Sequence, residues 1–100
     1  METVKKVSQI TVDNLINYLR LTDENVDDNE RGFIESLLVI ATDYIKNLTS
    51  VEDLDLYSDL VIVVYVLVQD MYDNRSLSAE SASSNKVVQT ILGLHDFNLL

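Results

Sequence analysis

Few residues of this chain have the type and spacing to do chemistry. They are an acidic loop, a lone histidine, a run of serines, several tyrosines and a polar tetrad. The loop, TDENVDDNE at 22–30, invites a calcium reading. A twelve-residue calcium loop needs oxygen ligands at positions one, three and five, glycine at six and a bidentate glutamate at twelve. Started at Asp23, the frame puts Asp28 at six and Ile34 at twelve; started at Asp27, it gains Gly32 at six but meets Arg31 at five and Leu38 at twelve. Both frames fail, and the loop reads as a solvated connection. His95 has no cysteine with which to share a metal, and the adjacent Asp96 alone does not make a catalytic pair. It reads as a surface or tail-packing histidine. Serines 76–84 lack a nucleophile elbow. No glycine-rich phosphate loop occurs. Tyr18, Tyr44, Tyr65 and Tyr72 fall on or beside apolar helix faces, as core residues with the hydroxyl at the boundary. No catalytic, metal or cofactor site is expected, and the chain does not read as an enzyme.

The tetrad Tyr72-Asp73-Asn74-Arg75 is the most specific polar feature, and its meaning depends on what precedes it. It closes the stretch LVIVVYVLVQDMYDNR, which starts with nine apolar residues at 60–68. A membrane-spanning helix needs roughly 20 mostly apolar residues. Nine, flanked by Asp59 and Asp70, are too few. A strand fits the β-branched content, but Tyr57, Leu60, Val61, Val64, Tyr65, Val68, Met71 and Tyr72 recur at helical spacing. The stretch is therefore a helix, and a cation at its end suits the negative pole of the helix dipole. Ile62, Val63, Val66 and Leu67 make its other side apolar as well. A helix apolar nearly all round is buried on all sides, by its own chain or by a neighbouring subunit.

Composition agrees with an all-helical chain. The 100 residues suit one domain over 1–100, and a 47% apolar content argues against wholesale disorder. There is no proline and there are two glycines, too few turn formers for a sandwich or barrel. Without cysteine there are no disulfides. METVKKVSQITVD lacks the apolar stretch of a signal peptide. A net charge of −10 is the wrong sign for gripping phosphates, although it does not forbid DNA nearby.

Four helices follow, at about 11–21, 28–47, 54–74 and 85–92, with the third long, apolar and central. Thr11 is the expected cap of the first, whose face is Val12, Leu15, Ile16 and Leu19. The second starts near Asp27 or Asp28 and carries Phe33 or Ile34, Leu37, Leu38, Ala41, Tyr44, Ile45 and Leu48. Ser50 and Asp53 suggest a capping box for the third. Residues 76–85, SLSAESASSN, read as a flexible connection. Ser84 or Asn85 caps the last helix, with face Val87, Val88, Ile91 and Leu92, and Gly93 stops it. The tail 93–100 is apolar and is expected to pack on something.

The order LINYLRL, acidic loop, FIESLLVIATDYIKNLT, apolar helix ending MYDNR, then VVQTIL resembles the head–tail connector (adaptor, or DNA-packaging) family of tailed bacteriophages and prophages. The likeness spans roughly residues 8–95 and rests on the YLRL, ATDYIKNLT and MYDNR segments together. It implies a structural, non-catalytic subunit of a ring of commonly about twelve copies, a heterologous interface that closes on itself. Such a ring lies beneath the portal protein at the virion neck, having assembled in the host cytoplasm. It extends the DNA channel and docks the next neck or tail-completion protein. Tyr18, Leu19 and Arg20, with Tyr72, Asp73, Asn74 and Arg75, are then structural motif residues. Ile62, Val63, Val66, Leu67, Phe97 and Leu99 are candidates for the subunit interface. An acidic surface near the channel would let DNA slide without being held. The same acidity fits a different function, a small DNA mimic that blocks a nucleic-acid-binding protein.

Overall fold

The computed structural model describes residues 4–22, 24, 26–49, 51–75, 77, 79 and 85–94. Four α-helices run α1 Val12–Tyr18, α2 Asp28–Thr49, α3 Leu60–Asn74 and α4 Lys86–Leu94. Two short 3-10 turns, Val7–Gln9 and Leu54–Leu56, precede α1 and α3. No strand occurs among the described residues. Together the helices form a small all-α bundle. The principal extents are 47 × 28 × 20 Å, the long axis suiting α2, whose 22 residues span about 33 Å.

Local chemistry sets most boundaries. Thr11 and Asn14 form a reciprocal capping box, each side chain accepting the other's backbone N–H at 3.1 and 2.8 Å. Asp27 caps α2 by accepting the Glu30 N–H at 2.8 Å. At the other end the buried Thr49 hydroxyl donates to the Ile45 carbonyl oxygen at 2.7 Å and accepts the Val51 N–H at 3.2 Å. No buried polar side-chain atom among the described residues lacks a partner.

α3 is shorter than its periodicity predicts. Asp53 accepts the Asp55 N–H at 3.1 Å and nucleates the Leu54–Leu56 turn, after which Tyr57 is extended (φ −129°, ψ 104°). The helix restarts only at Leu60, so the longest helix is α2, not α3. Position, not length, makes α3 central: it packs against α1, α2, α4 and the Val7–Gln9 turn. Leu60, Val61, Val63, Val64, Leu67, Val68 and Met71 are all buried. α2 meets them with Ile34, Leu37, Ala41 and Ile45, while Leu48, expected in that stripe, is 39% exposed. Leu15 and Ile16 come from α1, and Val88 and Leu92 from α4.

Two further expectations shift. Asn85 caps α4, accepting the N–H of Val87 and Val88 at 2.8 and 3.3 Å, but the helix runs through Gly93 to Leu94. A glycine one residue from a helix end costs too little to stop it. Of the serine-rich connection at 76–85, only Leu77, Ala79 and Asn85 are described, and Ala79 is buried in the core. His95 and the tail at 95–100, Phe97 and Leu99 included, lie outside the described residues, as does Ser50.

Candidate functional site

The tetrad ends α3 in an unusual way. Arg75 takes the left-handed conformation (φ 49°, ψ 39°), and its N–H closes the last turn on the Met71 and Tyr72 carbonyl oxygens. Glycine or asparagine normally fills such a position, because a larger side chain crowds the backbone there. The Arg75 side chain has a use that glycine could not supply. Its terminal nitrogens donate to both Glu30 carboxylate oxygens, at 2.6 and 3.1 Å, in the planar fork arginine makes with carboxylates. The guanidinium carbon also lies 4.9 Å from the ring centroids of both Phe33 and Tyr72. Those rings are 6.1 Å apart and tilted by 45°. A cation against two ring faces adds attraction to the ion pair. Hydrogen bonding to Glu30 raises the Arg75 pKa further, so the charge is permanent. Asn74 donates back to the Asp70 carbonyl oxygen at 2.9 Å and to its carboxylate at 3.4 Å, and Asp73 is exposed.

Glu30 and Phe33 lie three residues apart near the start of α2, on one face of that helix. Sequence reasoning places Glu30 in the solvated linker and Phe33 in the core stripe, and assigns neither to Arg75. The i, i+3 spacing was visible, but a partner 45 residues away was not.

Tyr18-Leu19-Arg20 ends α1 in the same way. Arg20 has φ 59°, its N–H bonds to the Asn17 carbonyl oxygen, and the Leu21 N–H bonds to that of Ile16, both at 3.1 Å. This pair is a complete Schellman close. Among the described residues the Arg20 guanidinium has no ion pair or aromatic partner. Tyr18 stacks on Tyr65, centroids 4.8 Å apart and planes 20° apart. Burial pushes the Tyr65 hydroxyl pKa up. The two motif segments are thus fastened to different partners and do not converge on one site.

The expected interface face of α3 is divided. Val63 and Leu67 are fully buried under the chain's own helices and cannot meet a neighbour, which corrects their assignment. Ile62 is 50% exposed and Val66 half-buried, on the adjoining face. The division follows from helix geometry: residues 62 and 66 point together, and α1, α2 and α4 cover the rest.

A third polar fastening joins the leading segment to the Leu54–Leu56 turn. Asp55 accepts the Ser8 N–H at 2.9 Å and its hydroxyl at 2.5 Å. These two bonds hold the Asp55 carboxyl below the usual aspartate range, with Lys6 and Lys46 acting in the same direction. Beside this clasp an open groove of about 330 Å³ is lined by Ser8, Ile10, Leu38, Thr42, Lys46 and Asp53, among others. Among the described residues no three His, Cys, Asp or Glu gather as metal ligands, and no helix is long and apolar enough to cross a membrane.

Fold and site together define a class: an all-α four-helix bundle whose polar clusters fasten helix ends and chain segments to one another. No family model, no curated protein and no solved structure matches the chain.

Proposed function

We propose that this chain is the subunit of a phage or prophage head–tail connector, assembling into a ring under the portal protein and docking the next neck or tail component. The observation that carries the proposal is the MYDNR segment. It ends the helix most deeply embedded in the core, and its arginine ties that helix to the start of α2. An arrangement of that kind suits a rigid structural subunit. Two further features support the reading. Ile62 and Val66 leave apolar surface on a chain carrying net charge −10, as a partner-covered face would. The surplus of carboxylates suits a channel through which DNA slides.

Native mass measurement and electron microscopy of the chain, alone and mixed with a portal protein, test the proposal. Rings under either condition support it. A chain that stays monomeric beside the portal and instead captures a DNA-binding protein overturns it in favour of the acidic mimic. Ile62→Asp and Val66→Asp should fold but lose assembly. Val63→Asp should not fold at all, because it places an unpaired charge in the core. Normal rings from Ile62→Asp and Val66→Asp would show that this face is not the interface.

A further inference from the structure

One face of α3 stays open to solvent. Ile62, Val66, Gln69 and Asp73 recur at i, i+4, i+7 and i+11, which places them on one side of the helix. The opposite side, with Leu60, Val64, Leu67 and Met71, is fully buried in the bundle. Ile62 is 50% exposed and Val66 half-buried. The Tyr18–Tyr65 stack borders them, since Tyr65 follows Ile62 by three residues and Tyr18 of α1 is 40% exposed. Two aliphatic side chains beside two stacked tyrosines have the composition of a protein-binding centre, where aromatic residues are enriched.

Charge of one sign surrounds this patch. Asp59 lies one turn before Ile62, Asp70 one turn after Val66, and Asp73 closes the stripe. Neither α1 nor α3 contains a lysine or arginine. The cations that follow the two helices, Arg20 and Arg75, lie past their ends, and Arg75 is committed to Glu30. The whole chain adds a net charge of −10. Such a rim repels an anionic lipid surface, a nucleic acid and a second copy of this chain. A partner carrying lysine or arginine around its apolar residues is drawn to it. The surface also sets the partner's form. No strand edge among the described residues is available to extend, whereas an exposed helix stripe of about 21 Å matches an amphipathic helix of about 14 residues.

We infer that the α3 face centred on Ile62 and Val66 docks a basic amphipathic helix of another protein. Apolar residues of that helix, three or four apart, cover Ile62, Val66 and the tyrosine edge, while its lysines or arginines face Asp59, Asp70 and Asp73. The docking does not need the connector reading. Within that reading it makes the partner a basic segment of the portal or of the next neck component, not a second copy.

Fluorescence anisotropy of two labelled helical peptides tests this on the full chain. Both have about 14 residues with leucines three and four apart; one carries lysine at its polar positions and the other glutamate. The lysine peptide should bind at least about tenfold more tightly than the glutamate peptide. Ile62→Ser should weaken that binding about tenfold, with Tm unchanged. Val39→Ser, at a comparably exposed site on α2, should not weaken it. Asp73→Asn should weaken it about twofold. Equal loss at Val39 and Ile62, or none at either, overturns the inference, because the peptide is then held by acidity at large. Equal binding of both peptides overturns the charge selection and leaves the face to a second copy. Binding of neither peptide overturns the docking site outright. None of these outcomes involves the portal, so ring assembly is judged separately by microscopy.

Discussion

α1 and α3 end alike in backbone and differently in side chain. Both stop at an arginine in the left-handed conformation, Arg20 at φ 59° and Arg75 at φ 49°, with the last carbonyls closed by the following N–H groups. After α1 the backbone pattern alone suffices, and the Arg20 side chain is exposed. After α3 the side chain binds Glu30, Phe33 and Tyr72. The difference shows that a helix stop and a tertiary fastening are separable. Hydrogen bonds within the last turn end a helix, whereas a partner on another helix fixes how that end sits in the bundle.

The largest expected contrast comes from truncation. Arg75→Ala keeps the unfavourable backbone and loses the fork and both ring contacts. It should lower Tm by about 5 °C. Among the described residues Arg20 has no ion pair or aromatic partner to lose, and Arg20→Ala should stay within about 2 °C of wild type. Equal effects at the two sites, measured by thermal denaturation, would break the comparison.

Glycine should separate them by sign. Relief of the left-handed strain is worth roughly 1 kcal/mol, so Arg20→Gly should raise Tm by about 4 °C. At Arg75 the same relief is offset by the lost cluster, so Arg75→Gly should still lower Tm, though less than Arg75→Ala. If both glycine variants stabilise alike, the Arg75 cluster adds nothing to its cap.

Much of this bundle was legible because its causes are local. Thr11 and Asn14 lie three residues apart, as do Asp27 and Glu30, and short-range hydrogen bonds fix where α1 and α2 begin. Periodicity also identifies the core stripe of α2. It misleads at Tyr57 and Leu60, which keep helical spacing across a break that the Asp53 side chain creates. The apolar pattern of α3 likewise cannot say who covers which side. Val63 and Ile62 are both aliphatic, and only packing shows one fully buried and the other half exposed. The Glu30–Arg75 fork was illegible for a different reason. It spans 45 residues, and no local spacing selects Glu30 from the other 16 acids.

A smaller effect tests whether the Arg75 fastening is electrostatic. Glu30→Gln keeps a hydrogen-bond acceptor and removes the charge, and should lower Tm by about 2 °C. The Arg75 side chain is 58% exposed and that of Glu30 18%, so ions have access. Raising salt from 0.1 M to 1 M shortens the screening length from about 10 Å to about 3 Å. The gap between wild type and Glu30→Gln should then narrow. A gap that ignores salt would assign the contact to packing on Phe33 and Tyr72.

The smallest effect belongs to the Ser8–Asp55 clasp, which differs from the Arg75 cluster in using a neutral donor. Hydrogen bonds from Ser8 lower the folded pKa of Asp55, helped by Lys6 and Lys46. A carboxyl with a lower pKa folded than unfolded binds its proton more readily in the unfolded chain. Its stabilisation is therefore complete above the ordinary aspartate value, about 4, and is lost as pH falls through the lower folded value. Urea denaturation of wild type and Asp55→Asn should differ at pH 7 and converge as pH falls through the folded value. Arg20→Gly offers the internal control, because strain relief involves no titrating group and its advantage should survive acid. Convergence of the Asp55 pair with persistence of the Arg20 pair would separate a charge-dependent fastening from a backbone stop. An Asp55→Asn difference that stays unchanged throughout acid titration would show that the carboxylate charge is not what holds the Ser8 segment.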